Sequence, residues 1–389
     1  MRQTVLAVAL GLSTILAGGS AAAQTQGVTK DEVVLGIPID LSGPLAEVGR
    51  AGANAARMAA EEINEKGGIA GRKLKLLFED QQYDAKKGVL VTQKLLEQDK
   101  VFAILMATGT APAAAAYPMV LKAGVPHVCP WTAGALFSDP FERLSFACFP
   151  TNGGMAAAGA AFMVATQKKQ RFCMIYQDDD MGAEVKDAVN ATLGKSGLKI
   201  LEDAGYKRGA TDFSGQVARV QRAECDILFL AAVPPATAAI MQELQRRAWK
   251  VTVIGAGPAF EDNTIKLGKD AVEGMWAVGV IANPSLDNSP LAVQDWMKRY
   301  QAKYNATASL YGAYAYSFVY IMAEGLQHAG ANLTVDSFIK GMEQIKGYRT
   351  LFGSVINFSD KNRLGANGAK LFHVQNGKWV EDGDLPPAP

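Results

Sequence analysis

The stretch GGIAGRKLKLLFEDQQYD, residues 67–84, joins a helix to a strand and the strand to a polar loop. Just ahead of it Ala55, Ala59 and Ile63 recur at helical spacing, with Arg57, Glu61 and Glu65 on the opposite face. Gly67 and Gly68 stop that helix, where a left-handed residue is wanted. Ile69 is expected to plug the core and Gly71 to turn the chain into the next strand. Leu74-Lys75-Leu76 alternates apolar and charged, as suits an edge strand. Helix, tight turn and strand packed this closely are one step of a βαβ alternation.

The alternation continues outward. Short apolar runs at Val33–Ile39, Leu74–Glu79, Val101–Met106 and Val125–Pro130 read as strands, separated by amphipathic segments. The pattern restarts at Arg171 with Phe172–Gln177, Ile200–Tyr206, Ile227–Ala232 and Val251–Gly255. The run VFAILM, residues 101–106, is apolar throughout, as a central parallel strand should be. Two similar doubly wound α/β domains follow, each with parallel strands and helices on both faces. The C-terminal third adds helices at Leu291–Tyr304 and Tyr311–Gly325, and a tail in which QNGK, residues 375–378, signals a hairpin turn. Open parallel sheets take ligands at the carboxyl ends of their strands. That directs attention to the loops Asp40–Val48, Asp80–Asp84, Ala107–Ala111, Trp131–Ala135, Asp178–Gly182, Val233–Thr237 and Gly257–Asp262.

With 389 residues, about half of them hydrophobic, the chain can bury the cores of two domains. Its 39 basic and 38 acidic side chains leave a net charge of +1, which offers a polyanion nothing to bind, so no nucleic-acid partner is expected. Residues 1–23 carry Arg2, the apolar run Val5–Ala17 and the small residues Ala21-Ala22-Ala23. This is the layout of a Sec-type signal peptide cleaved after Ala23, and it places the mature chain in the periplasm of a bacterium. Four cysteines, Cys129, Cys148, Cys173 and Cys225, allow three full pairings in an oxidising compartment, and the spacing does not choose among them. Cys173, inside RFCMIYQ, also reads as a small buried hydrophobe.

Catalytic constellations are scarce. His127, His328 and His373 lie far apart and without metal-ligand neighbours, so structural or solvated roles are expected and no metal site. Neither a G-x-S-x-G elbow nor a P-loop is present. VTVIGAGPAF, residues 251–260, imitates a dinucleotide fingerprint, but Phe260 takes the third glycine position and Pro258 removes a backbone donor. No cofactor is expected. Asp178-Asp179-Asp180 precedes a helix, where carboxylates act as caps.

The segment IPIDLSGPLAEVGRAGANAARMAAEEINEKGGIAGRKLKLLFED, residues 37–80, resembles the N-terminal signature of type I periplasmic binding proteins, specifically the branched-chain amino acid (Leu/Ile/Val) substrate-binding family of ABC importers. The signature pairs an SGP turn after the first strand with EEIN-x-x-GGI-x-GRK-L. Weaker similarity runs on through KDAVEGM, residues 269–275, and NFSD, residues 357–360. The resemblance implies two Rossmann-like lobes joined by three crossovers, with a ligand cleft between them that closes by hinge motion. The implied boundaries are 31–149 plus 282–356 for the N-terminal lobe and 150–281 plus 357–389 for the C-terminal lobe. It further implies no enzymatic activity, a monomeric chain and an ABC permease as partner.

In the amino acid binders of this family, hydroxyls and backbone N–H groups of the first lobe hold the ligand carboxylate. The matching loops here are ATGTAP and PWTAG, with Thr108, Thr110 and Thr132 as hydroxyl candidates and Gly109 giving an anion access to backbone N–H groups. The plain alternative is that these threonines cap helices. A second-lobe carboxylate holds the ligand ammonium in those binders. The matching stretch, Ala256-Gly257-Pro258-Ala259, has no acid, and Glu261 and Asp262 follow only later. An unpaired buried ammonium is costly. Two positions that are aromatic in the family are Val48 and Met181 here, while Trp131 stands where a small residue is usual. Val233 and Pro234 replace polar or aromatic neighbours, Tyr83 sits in the second loop, and Phe260 and Tyr311 add ring surface. A small carboxylate without an α-amino group is therefore expected, an aromatic acid first and an aliphatic or keto acid next. The alternatives are a branched-chain or other hydrophobic amino acid, or a sensory ligand-binding module.

Overall fold

The computed structural model describes residues 25–386, so the signal-peptide segment lies outside the described residues. The first lobe begins with β1 (Glu32–Ile39), α1 (Ala46–Glu65), β2 (Lys73–Asp80), α2 (Ala85–Glu97), β3 (Ala103–Leu105), α3 (Thr110–Lys122), β4 (His127–Val128) and β5 (Ser145–Phe146). The strands pair in parallel in the order β2-β1-β3-β4-β5. The alternating strand is at the edge and the apolar one in the middle, as their patterns require. Two expected strands are shorter than their apolar runs, and β5 was not anticipated.

The decisive turn is built as its residues dictate. α1 ends at Glu65, and Gly68 (φ +72°) follows with Arg72 O only 2.0 Å from where a Cβ would sit. Ile69 and Arg72 exchange backbone bonds of 2.7 and 3.0 Å around Ala70 (φ +49°) and Gly71 (φ +80°), a two-residue turn with both central residues left-handed. Ile69 is half-buried against the core rather than plugged into it.

The second lobe holds α4 (Asn152–Ala165), β6 (Phe172–Gln177), α5 (Asp180–Gly194), β7 (Ile200–Tyr206), α6 (Ser214–Gln221), β8 (Ile227–Ala231), α7 (Pro234–Arg246), β9 (Thr252–Ala256), α8 (Asp262–Gly268) and β10 (Trp276–Gly279). The chain then returns to the first lobe as α9 (Leu291–Tyr304), α10 (Leu310–Ala329) and α11 (Val335–Glu343), where Trp296, Tyr316 and Phe338 bury their rings. A small pair, β11 (Tyr348–Arg349) and β12 (Val355–Ile356), precedes the last crossing. The hairpin β13 (Ala369–Gln375) and β14 (Lys378–Leu385) completes a seven-stranded sheet, β14-β13-β10-β9-β8-β6-β7. Asn376 (φ +52°) and Gly377 (φ +68°) make its turn, as QNGK signals. The hairpin pairs antiparallel, so the second sheet is mixed rather than wholly parallel.

The third crossing falls later than the expected 356/357 boundary. Phe358 packs edge-on against Phe146 at 5.2 Å, and Ala147 N–H donates to Arg363 O at 2.9 Å while Gly365 N–H donates to Ala147 O at 2.7 Å. Residues 357–365 therefore lie on the first lobe, and the chain changes lobes just before β13. Disulfides join Cys129 to Cys148 and Cys173 to Cys225. Cys173 is fully buried as its strand demands, but it is a bridge and not a free thiol.

Candidate functional site

Nearly every loop that closes this site leaves the carboxyl end of a strand. β2 leads to Tyr83, β3 to Thr108 and Gly109, β4 to Trp131 and Thr132. In the second lobe β6 leads to Met181, β8 to Val233 and Pro234, and β9 to Gly257 and Phe260. Tyr311 arrives separately, on the first turn of α10. The structure brings these eleven residues, and Thr110 at the start of α3 as the twelfth, to the wall of one cavity of about 100 Å³ between the lobes. The wall is completed by residues that the sequence reading did not single out as ligand contacts, among them Leu45, Phe149, Asn152, Met155 and Tyr314. Phe149 and Asn152 belong to the first crossing between lobes, which follows β5, a strand not anticipated from the sequence. Tyr314 lies one turn beyond Tyr311 on the same helix face, a spacing that could have found it.

One end of the cavity is polar. Thr110 Oγ1 and Thr132 Oγ1 lie 2.6 Å apart and share one hydrogen bond, so one of the two hydroxyl protons is left to a ligand acceptor. Gly109 is the N-cap of α3 at φ +76°, and no side chain caps the helix. A Cβ there would approach the Tyr83 ring to 2.6 Å, which excludes other residues. The Gly109 N–H itself is spent on Trp131 O at 3.3 Å and Ala113 N–H on Gly109 O, and Pro112 has no N–H, which leaves the Thr110 and Ala111 amides as the donors at the start of α3. Thr108 contributes less than expected, because its hydroxyl donates to Met106 O at 3.2 Å. Neither Thr110 nor Thr132 acts as the helix cap.

The remaining wall is apolar and aromatic. Trp131 meets Tyr311 edge-to-face at 5.4 Å, and Phe149 meets Tyr314 at 4.7 Å. Phe260 is largely a core residue, stacked on Phe372 at 4.0 Å, with only part of its ring turned to the cavity.

No residue that lines the cavity carries a formal charge. Glu261 and Asp262, the two acids near this end, are not in the wall. Glu261 caps α8 by accepting the Asn263 N–H, and burial pushes its pKa up to about 8. Asp262 is bonded to Asn283 and is raised to about 6, again by burial. Asp179 caps α5 through Gly182 N–H, as expected of the acidic run.

Contacts across the cleft hold the lobes together. Tyr83 Oη accepts from Gln177 Nε2 at 2.8 Å, Lys266 Nζ pairs with Glu47 at 2.6 Å, and Ala135 N–H donates to Glu184 Oε2 at 3.0 Å. The arrangement is a closed clamshell around a small, uncharged chamber. Among the described residues no cluster of His, Cys, Asp or Glu suits a metal ion, and no helix is long and apolar enough to cross a membrane.

Comparison with known proteins gives a consistent picture. A family model described as periplasmic binding protein matches residues 32–378. The Leu/Ile/Val-binding protein BraC3 of Rhizobium johnstonii is 24% identical over 354 residues, covering 90% of this chain and 93% of its own. Two solved structures share the fold. A fatty acid ABC transporter substrate-binding protein of Thermomonospora curvata has a TM-score of 0.83 at 21% identity, with 94% of each chain covered. An ABC transporter solute-binding protein of R. palustris, in complex with benzoate, has a TM-score of 0.80 at 16% identity, covering 92% of this chain and 97% of that one.

Proposed function

Because the chain belongs to the periplasmic binding protein family, a family of transporter substrate-binding proteins and not of enzymes, we propose that its cavity captures a small carboxylate that lacks an α-amino group, an aromatic acid first, for uptake by an ABC permease. The fold alone does not choose the ligand. Its relatives and neighbours are named for branched-chain amino acids, for a fatty acid and for benzoate. The lining supports the choice made here, and the observation that carries the reading is the absence of any charged side chain in that wall.

An amino acid zwitterion needs an anion for its ammonium, and an ammonium sealed in this chamber would meet none. Glu261 does not serve, because its side chain caps α8 at the Asn263 N–H and is not part of the wall. A carboxylate, by contrast, finds the uncapped start of α3 and a hydroxyl proton from the Thr110–Thr132 pair. The rest of such a ligand would lie against Trp131, Tyr311, Phe149 and Tyr314. Capture in a monomer, with export by the Sec-type leader, completes the reading.

A panel of benzoate, cinnamate, 2-oxo acids, short fatty acids, leucine, isoleucine and valine, titrated by calorimetry and thermal shift, tests it. Binding of aromatic carboxylates with no response to leucine is the expected result. Tight binding of leucine, isoleucine or valine would overturn the reading and make this a branched-chain amino acid carrier.

A further inference from the structure

Tyr83 reaches out of the first lobe and touches the second with its hydroxyl. Tyr83 and Gln177 are both buried, and the 2.8 Å bond between them spans 94 residues of sequence. Tyr83 follows Gln82 in a second consecutive left-handed backbone position, φ +55° then φ +54°, which a non-glycine residue holds only when its surroundings impose it. Its N–H donates to Asp40 Oδ1 at 2.5 Å, and its ring rests against the backbone of Gly109. From the second lobe, Arg208 donates to its carbonyl at 3.4 Å.

Gln177 is equally committed. Its amide nitrogen bonds both Tyr83 Oη and Asp179 Oδ2, the latter at 2.7 Å. Asp179 accepts from that nitrogen, and the bond fixes which way the amide faces. Gln177 does not line the cavity, whereas Tyr83 does.

We infer that the Tyr83–Gln177 hydrogen bond is the latch of lobe closure, and that Gln177 is a positioning residue for ligand retention. Gly109 is where the cavity's acceptor-seeking end begins, and the latch ring leans on it. Ordering that loop around a ligand therefore orders the ring whose hydroxyl the other lobe receives. A contact made only in the closed state adds to the affinity of every ligand by the same factor. It favours none of them over another. This inference rests on the reading of the cavity as the ligand site.

The test uses Gln177→Leu, Tyr83→Phe and the double variant in the full mature chain. Losing one buried hydrogen bond of this kind is expected to raise Kd about tenfold, through faster dissociation, with the ranking of ligands in the panel unchanged. The double variant should bind no more weakly than the weaker single, since each single already removes the Tyr83–Gln177 bond. Kd values within about twofold of wild type, additive losses, or a changed ranking would each overturn the latch. Small-angle scattering of the ligand-free protein reads the latch independently of any ligand. A larger radius of gyration in Gln177→Leu than in wild type supports it, and an unchanged radius overturns it. Should no carboxylate in the panel bind wild type, the ligand reading fails and the scattering result still decides the latch. Tyr83→Phe keeps the ring, so it guards against a Gln177→Leu variant that misfolds.

Discussion

The six-membered ring of Trp131 occupies the space a side chain at Gly52 would need: a Cβ built on Gly52 falls 2.1 Å from Trp131 Cη2. Gly52 is in the interior of α1, where alanine ordinarily gains helix propensity of up to about 1 kcal/mol. Here the gain is opposed by a clash with a flat, buried ring that also packs against Tyr311. Gly52→Ala should therefore drive Trp131 into the cavity. The expected outcome is a loss of at least about tenfold in affinity for an aromatic carboxylate, with a change in tryptophan fluorescence and no gain in Tm. An unchanged Kd, with the Tm rising as propensity predicts, would show that Trp131 does not shape the site.

The three candidate hydroxyls separate by their partners. Thr110 and Thr132 are bonded to each other, while Thr108 is bonded to a backbone carbonyl of its own strand end. Thr110→Val and Thr132→Val should each weaken carboxylate binding about tenfold, the size of one hydrogen bond to a charged acceptor at the low end. Thr108→Val should leave Kd nearly unchanged and lower Tm instead, because it strands the Met106 carbonyl. Calorimetry on the three variants with one bound carboxylate checks the order. Equal losses at all three positions would mean that the hydroxyls act through the loop's shape alone.

Much of this was readable beforehand, and for a definable reason. Edge and centre of the first sheet follow from alternation in Leu74-Lys75-Leu76 and its absence in VFAILM, because burial on one face or two is written directly into period. The twelve candidate contacts share a cavity because strand ends in a doubly wound sheet converge by topology. What escaped the sequence was set by long-range packing. Phe149 and Asn152 reach the wall from a crossing segment that has no periodicity to read. The third crossing waits until Arg363, which is buried and paired with Glu343, has been placed on the first lobe. The cysteine pairing was open among three arrangements because it depends on which strands become neighbours: β4 with β5, and β6 with the segment ahead of β8.

Those bridges close loops of different span, with sequence separations of 19 and 52. Removing either by a Cys→Ala pair frees the unfolded chain, at a loss of about 3 kcal/mol for the shorter loop and about 4 kcal/mol for the longer. Urea unfolding of C129A/C148A and C173A/C225A should show both losses, the second the larger. The first bridge stands at the base of the Trp131 loop, so its removal should also weaken ligand binding; the second is remote from the cavity and should not. A C173A/C225A variant that folds normally but binds tenfold more weakly would contradict that separation.

Buried carboxyls give stability a slope with pH whose sign is fixed. Burial lifts Glu261 from the ordinary 4.5 to about 8, and Asp40 from 3.8 to about 7. In the unfolded chain both lose their protons near their ordinary values, while the folded chain keeps them to higher pH. The native state thus binds more protons over this range, so unfolding free energy falls as pH rises. The contribution is fully present below about pH 4 and is lost progressively until the folded-state values are passed. Tm should accordingly be higher at pH 5 than at pH 8. Glu261→Gln retains a side-chain oxygen to cap α8 but has no proton to lose, so its Tm should differ less between the two pH values, with the gain over wild type appearing at pH 8. Equal slopes for variant and wild type, measured by calorimetry in low salt, would show that Glu261 is ionised in the folded protein at neutral pH. A buried anion would then stand near Tyr311 and Tyr314, and the case against an ammonium-bearing ligand would rest on the uncharged wall alone.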